Sequence, residues 1–259
     1  MRRAALLALL LASAPEGARA ALTPAELARV GVRTPAGAAL PMRLPFRDEA
    51  GRPVTPAKVA EGRPLVLVFA DYGCATLCGP ALAITGDRLR ETGLAAGRDW
   101  RLAVVGLEPG APPERARALA DARLPAPVRA AATPLTGDAD AVRRAAAAVG
   151  YGYVWDAEAR TFAHPVAAFV LAPDGRVVRT LSEVALTAPE LSAAIADARA
   201  GRAPAGFADL VAITCHRVLA AATGQDAAVL GGLRAGGVAT LALMAGALTW
   251  LVRRRRAAA

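Results

Sequence analysis

Reactive side chains are scarce in this chain of 259 residues: it has three cysteines (Cys74, Cys78, Cys215) and two histidines (His164, His216). So few cysteines exclude a disulfide-stapled scaffold, and a close pair with a distant third points instead to a site. Aromatic residues make up 4% of the chain, too few for a base-stacking platform. Lysine is nearly absent, with Lys58 alone. The net charge of +9 is therefore carried by arginine, and much of it sits at the ends, at Arg2 and Arg3 and at Arg253 to Arg256. The body of the chain lacks a basic footprint, so nucleic acid is excluded as a partner. There is no glycine-rich loop to cradle phosphate and no nucleophile–base–orienter set, which argues against nucleotide and hydrolase chemistry.

The two ends suggest targeting. Arg2 and Arg3 precede an apolar run, Ala4 to Ala14, and then Ala18-Arg19-Ala20. A basic start, a short apolar run and an Ala-x-Ala site read as a signal peptide over 1–20. Ala235 to Val252 is uncharged and apolar, lies between Arg234 and Arg253, and carries Trp250 near its end. With Gly232 and Leu233 it just reaches the roughly 20 residues a spanning helix needs. The expectation is a transmembrane helix over 233–252 and a basic cytoplasmic tail over 253–259, which puts the main domain in the periplasm of a bacterial inner-membrane, single-pass protein.

Between these ends the pattern is α/β. A lead-in covers 21–39, and Leu40 to Asp48 alternates loosely enough for a strand, with a turn at 48–52 and a return at Pro53-Val54. Leu65 to Ala70, Arg101 to Leu107 and Val166 to Ala172 are continuous β-branched and apolar runs, the signature of strands buried on both faces. Ala81 to Thr92, Pro112 to Arg123, Asp138 to Gly150 and Pro189 to Ala200 read as helices, the third capped by Thr136 or Asp138. Tyr151 to Trp155 reads as extended. Pro173-Asp174-Gly175 turns the third buried strand into a hairpin with Arg176 to Leu181. This order predicts a mixed sheet with helices on both faces over 40–202. A Gly/Ala-rich tether covers 203–232.

Cys74 and Cys78 fall beyond the C-terminal end of the first buried strand, where open α/β sheets place their sites. The C-x3-C spacing puts both sulfurs on one side of a helical turn. A helix N-terminus favours thiolate, and two thiolates form a soft pair that selects Cu(I). The pair alone also fits two core cysteines, or a dithiol that closes as a disulfide. His164 precedes Pro165 and the third buried strand, and imidazole suits copper. Alone, it fits a surface or core histidine equally well. Asp71 and Tyr72 flank the site, and Asp71 has two readings: a group that tunes the site, or, more simply, a solvated loop carboxylate. For Cys215 and His216 a second metal contact, an intermolecular disulfide and no role are all open.

Four segments together, VLVFADYGCATLCGPAL, RLAVVGLEP, TGDADAVRRAAAAVGY and FAHPVAAFVLAPDGRVVRTL, resemble the Sco/SenC family of copper-handling, thioredoxin-fold proteins. The resemblance spans roughly 40–202 and extends to Thr214-Cys215-His216, as in a membrane-anchored branch of that family. It implies a thioredoxin-like mixed sheet and one copper ion, Cu(I) or Cu(II), held by Cys74, Cys78 and His164. It also implies a copper donor protein and a copper-receiving subunit of a cytochrome c oxidase as partners. Ala75 stands where the family commonly has proline, and Glu108-Pro109 where it has an Asp-Pro context. Three functions share this site: a copper chaperone for oxidase assembly, a periplasmic thiol–disulfide oxidoreductase using Cys74 and Cys78 as its redox pair, and a redox or copper sensor.

Overall fold

A computed structural model describes residues 22–73, 78–182 and 184–202, together with Thr240. The chain divides after Pro204 into two units, and of the second, Ala205–Ala259, only Thr240 is described. The expected signal peptide over 1–20, the tether over 203–232 with Cys215 and His216, and the basic tail over 253–259 lie outside the described residues.

The first unit is built on a five-stranded mixed sheet. Its members are β4 (Leu65–Ala70), β5 (Arg101–Gly106), β6 (Ala132–Leu135), β10 (Ala167–Leu171) and β11 (Val177–Ser182), in the order β11-β10-β4-β5-β6. β4, β5 and β6 run parallel, and β10 and β11 are antiparallel to their neighbours. The three apolar runs become its three central strands. Side chains alternate across a strand. In β4, Val66, Val68 and Ala70 therefore join one core, while Leu65, Leu67 and Phe69 join the other.

Helices α3 (Cys78–Glu91), α4 (Pro113–Arg123) and α7 (Ala188–Arg199) close the first core through Leu82, Leu89, Ala116, Leu191 and Ile195. The second core is closed by α2 (Pro56–Ala60) and α6 (Ala139–Val149) through Val59, Val142, Ala145 and Val149. α6 begins where the Asp138 carboxylate accepts the Ala141 N–H at 2.8 Å and ends at Gly150 in the left-handed region, φ 71°. The fold is thus a mixed α/β sheet with helices on both faces, of thioredoxin-like type.

Local chemistry explains where the elements differ from the expectation. The strand expected over Leu40 to Asp48 shrinks to β2 (Phe46–Arg47), paired with β3 (Pro53–Val54). Pro41 and Pro45 lack the N–H groups that a longer ladder requires. β6 carries Pro134, which masks it in the sequence, but it is an edge strand and needs donors on one side only. The segment expected to be extended over Tyr151 to Trp155 splits. β7 (Tyr151–Gly152) pairs with β1 (Gly31–Val32), and β8 (Val154–Asp156) forms a hairpin with β9 (Thr161–Ala163). Short helices α1 (Pro24–Leu27) and α5 (Ala126–Ala130) complete the unit.

The expected transmembrane architecture is corrected. Residues 233–252 lie outside the described residues except for Thr240, and among the described residues no helix is long and apolar enough to cross a membrane. The longest, α3, has 14 residues and carries Asp87, Arg88, Arg90 and Glu91. At ~1.5 Å per residue it spans roughly 21 Å, against a hydrocarbon core of about 30 Å. The single-pass inner-membrane placement with a cytoplasmic C-terminus, and membrane attachment through that helix, fall with it.

Candidate metal centre

β4 ends at Ala70, and Asp71, Tyr72 and Gly73 carry the chain off the sheet toward Cys74. Cys74 lies outside the described residues. Cys78 opens α3, and only its backbone is described. The expected position of the pair, past the C-terminal end of the first buried strand and leading into a helix, is the one this topology provides.

The loop is pinned at Tyr72, which is buried. Its hydroxyl donates to the Val104 carbonyl at 2.6 Å, lies 3.1 Å from the Leu135 carbonyl and accepts the Leu135 N–H at 3.2 Å. Burial pushes this phenol far up, so it stays protonated. The ring lies on Gly106 at the end of β5, where a Cβ would come within 2.5 Å of it. Beyond Tyr72, Gly73 faces the carboxylates of Asp71 and Glu108. Glu108 is paired with Arg115 at 3.2 Å, so the Glu108-Pro109 segment borders the cysteine loop.

His164 follows β9 and is half-buried. Its Nδ1 lies 2.9 Å from the Tyr151 hydroxyl and 3.2 Å from the Pro165 carbonyl. Tyr151 donates its own proton to that carbonyl at 2.8 Å. Both neighbours therefore accept from Nδ1, which favours the Nδ1–H tautomer and puts the ring's lone pair on Nε2. Tyr151 is in turn stacked on Phe69 of β4, with ring centroids 4.4 Å apart. Burial lowers the His164 pKa, against the opposing influence of the Pro165 carbonyl and the Asp71 charge.

This lowering has a sign that can be tested. An unfolded chain takes up the imidazole proton at higher pH than the folded one, so stability falls as pH drops through the ordinary histidine range. The urea midpoint of the copper-free protein is expected to decline between about pH 7.5 and 5.5, and His164→Gln is expected to flatten that decline. A pH dependence unchanged by His164→Gln would refute it.

His164, Pro165 and Val166 line a cavity of about 10 Å³ together with Phe69, Ala81, Leu82 and Thr85. Ala81 and Leu82 belong to the first turns of α3, the helix that Cys78 opens. The histidine and the cysteine helix, distant in sequence, thus share one wall. Among the described residues no three His, Cys, Asp or Glu residues converge on a metal, and the predicted trio includes Cys74, which lies outside them.

The SCO1/SenC family model matches residues 35–199. The chain belongs to the SCO1/SenC family. Two solved structures share the fold. The SCO1/SenC family lipoprotein of Bacillus anthracis str. Ames is 18% identical, with TM-score 0.52, covering 65% of this chain and 98% of that one. ScoI of Arabidopsis thaliana, solved with copper bound, is 14% identical, with TM-score 0.51, covering 62% and 98%. No curated protein sequence matches the chain.

For two neighbours of the candidate site the sequence is an incomplete guide. Asp71, expected to be a solvated carboxylate, is 3% exposed. Its place directly after a strand buried on both faces is the signal, because such a strand delivers its next residue into the protein. Tyr151 reads only as the start of an extended segment. Its link to His164 depends on β7 crossing toward the C-terminal end of β4, which no sequence pattern reports.

Proposed function

We propose that this SCO1/SenC protein handles copper, binding one ion as cargo through Cys74, Cys78 and His164 and passing it to a copper-receiving subunit of a cytochrome c oxidase. The observation that carries the reading is the shared wall: His164 lines one cavity with Ala81 and Leu82 of the helix that Cys78 opens. The donor set fits. Thiolates favour Cu(I), and a neutral imidazole ligates Cu(I) and Cu(II) alike. Burial keeps His164 neutral, and engagement of Nδ1 by Tyr151 and Pro165 fixes the ring so that ligation would use Nε2. The leader read over 1–20 supports the periplasm as the compartment, where two free thiols would otherwise tend to oxidise.

The test is copper titration of the purified protein beside His164→Ala. The wild type is expected to take up one copper per chain. His164→Ala is expected to lose more than about 100-fold in Cu(II) affinity, above the 10–100-fold typical when only an outer partner of a ligand is removed. Unchanged stoichiometry and affinity would overturn the three-ligand site and leave a dithiol whose chemistry is thiol–disulfide exchange.

A further inference from the structure

We infer that Asp71 is a positioning residue, a buried carboxylate that clasps the loop leading to Cys74 onto the strand leading to His164. One oxygen, Oδ1, accepts the Gly73 N–H at 2.8 Å. The other, Oδ2, accepts the Thr161 hydroxyl at 2.7 Å and the Phe162 N–H at 3.1 Å. Gly73 directly precedes Cys74, and Phe162 stands two residues before His164. The two oxygens therefore hold the two halves of the site, ninety residues apart along the chain, to one side chain.

The hairpin needs such a tie. Among the described residues β8 and β9 pair only with each other, and a lone two-stranded ribbon is marginal in water. Phe162 packs against Trp155 (4.9 Å), Tyr153 (5.7 Å) and the edge of the second core, while Trp155 is 49% exposed. To this non-directional packing Asp71 adds a hydrogen-bonded attachment to the end of β4. Asp71 is buried, and among the described residues its carboxylate is met by these three donors. Hydrogen bonds to a charged acceptor are about twice as strong as neutral ones. An amide at this position would keep the size but present one NH2 group where the carboxylate presents an acceptor on each side.

The inference rests on the copper reading for its consequence, and its test separates the two. In the copper-free protein, Asp71→Asn is expected to speed amide hydrogen exchange at Phe162 by at least about 10-fold, with exchange in β5 unchanged. In the copper-loaded protein it is expected to lower affinity about 10-fold and to shift the Cu(II) absorption and paramagnetic resonance spectra. Thr161→Val is expected to show both effects more weakly, and Thr161→Ser to restore them. The serine and valine pair decides the matter even if Asp71→Asn folds poorly. Unchanged Phe162 exchange in Asp71→Asn, or equal behaviour of Thr161→Val and Thr161→Ser, would overturn the clasp. A wild type that binds no copper would instead overturn the copper reading, and exchange at Phe162 would still judge the clasp.

Discussion

Replacing both Cys74 and Cys78 by serine is expected to abolish Cu(I) binding while leaving the domain folded. The expectation follows from ligand chemistry. A thiolate is polarisable and binds Cu(I) far better than the hard oxygen of a serine hydroxyl, which is also protonated at neutral pH. Each single substitution should leave one sulfur and one imidazole. That set retains weak binding for Cu(I), and its sulfur-to-copper charge-transfer absorption with Cu(II) should be weaker and shifted relative to that of two thiolates. The fold should survive because, among the described residues, the cores that hold β4 and α3 in place are assembled from Val66, Val68, Tyr72, Leu82, Leu89 and their neighbours, none of which the substitutions change. The measurements are Cu(I) competition with a chromophoric chelator and far-UV circular dichroism of the same samples. A double serine variant that still binds one Cu(I) with wild-type affinity would place the copper elsewhere. The two candidates the sequence leaves, Cys215 and His216, would then be next to test.

What the sequence made legible was decided by burial and by local capping. β4, β5 and β10 are continuous apolar runs because both of their faces are covered, so each was visible to within one or two residues. α6 was visible because Asp138 is a good cap and Gly150 a good stop. Family membership was legible because the C-x3-C, the His-Pro and the PDG turn lie at fixed offsets from those strands. Elements that depend on tertiary context were not visible. β6 carries a proline that only its edge position allows, and the β8–β9 hairpin is held by contacts to Asp71 that cross ninety residues of sequence. The spanning helix was the overreach. An apolar run flanked by arginines is a statement about composition, and among the described residues it has no structural counterpart.

Gly106→Ala is expected to destabilise the domain strongly and to disturb the cysteine loop beside it. Gly106 closes β5, and its φ is not in the left-handed region, so an alanine has no backbone penalty there. The whole cost is space. A Cβ would sit 2.5 and 2.8 Å from two ring carbons of Tyr72, and 3.4 Å from the Leu135 carbonyl oxygen. Tyr72 cannot simply swing away, because its hydroxyl is tied to Val104 and Leu135 and its ring is enclosed. Overpacking of this kind typically costs about 1–3 kcal/mol, and here it also strains buried hydrogen bonds whose loss would add roughly 1 kcal/mol or more. We expect a loss of about 3 kcal/mol in the urea-extrapolated stability, equivalent to a fall of roughly 6–12 °C in Tm for a domain of this size. Because Tyr72 lies two residues before Cys74, the same variant should also weaken copper binding. The coupling can be isolated. If the clash is with the ring, Gly106→Ala combined with Tyr72→Ala should cost clearly less than the sum of the two single changes, since the second removes what the first collides with. Additive losses would mean that the ring does not hold the loop against β5. The physical link from the sheet to the cysteine loop would then have to be sought in Asp71 alone.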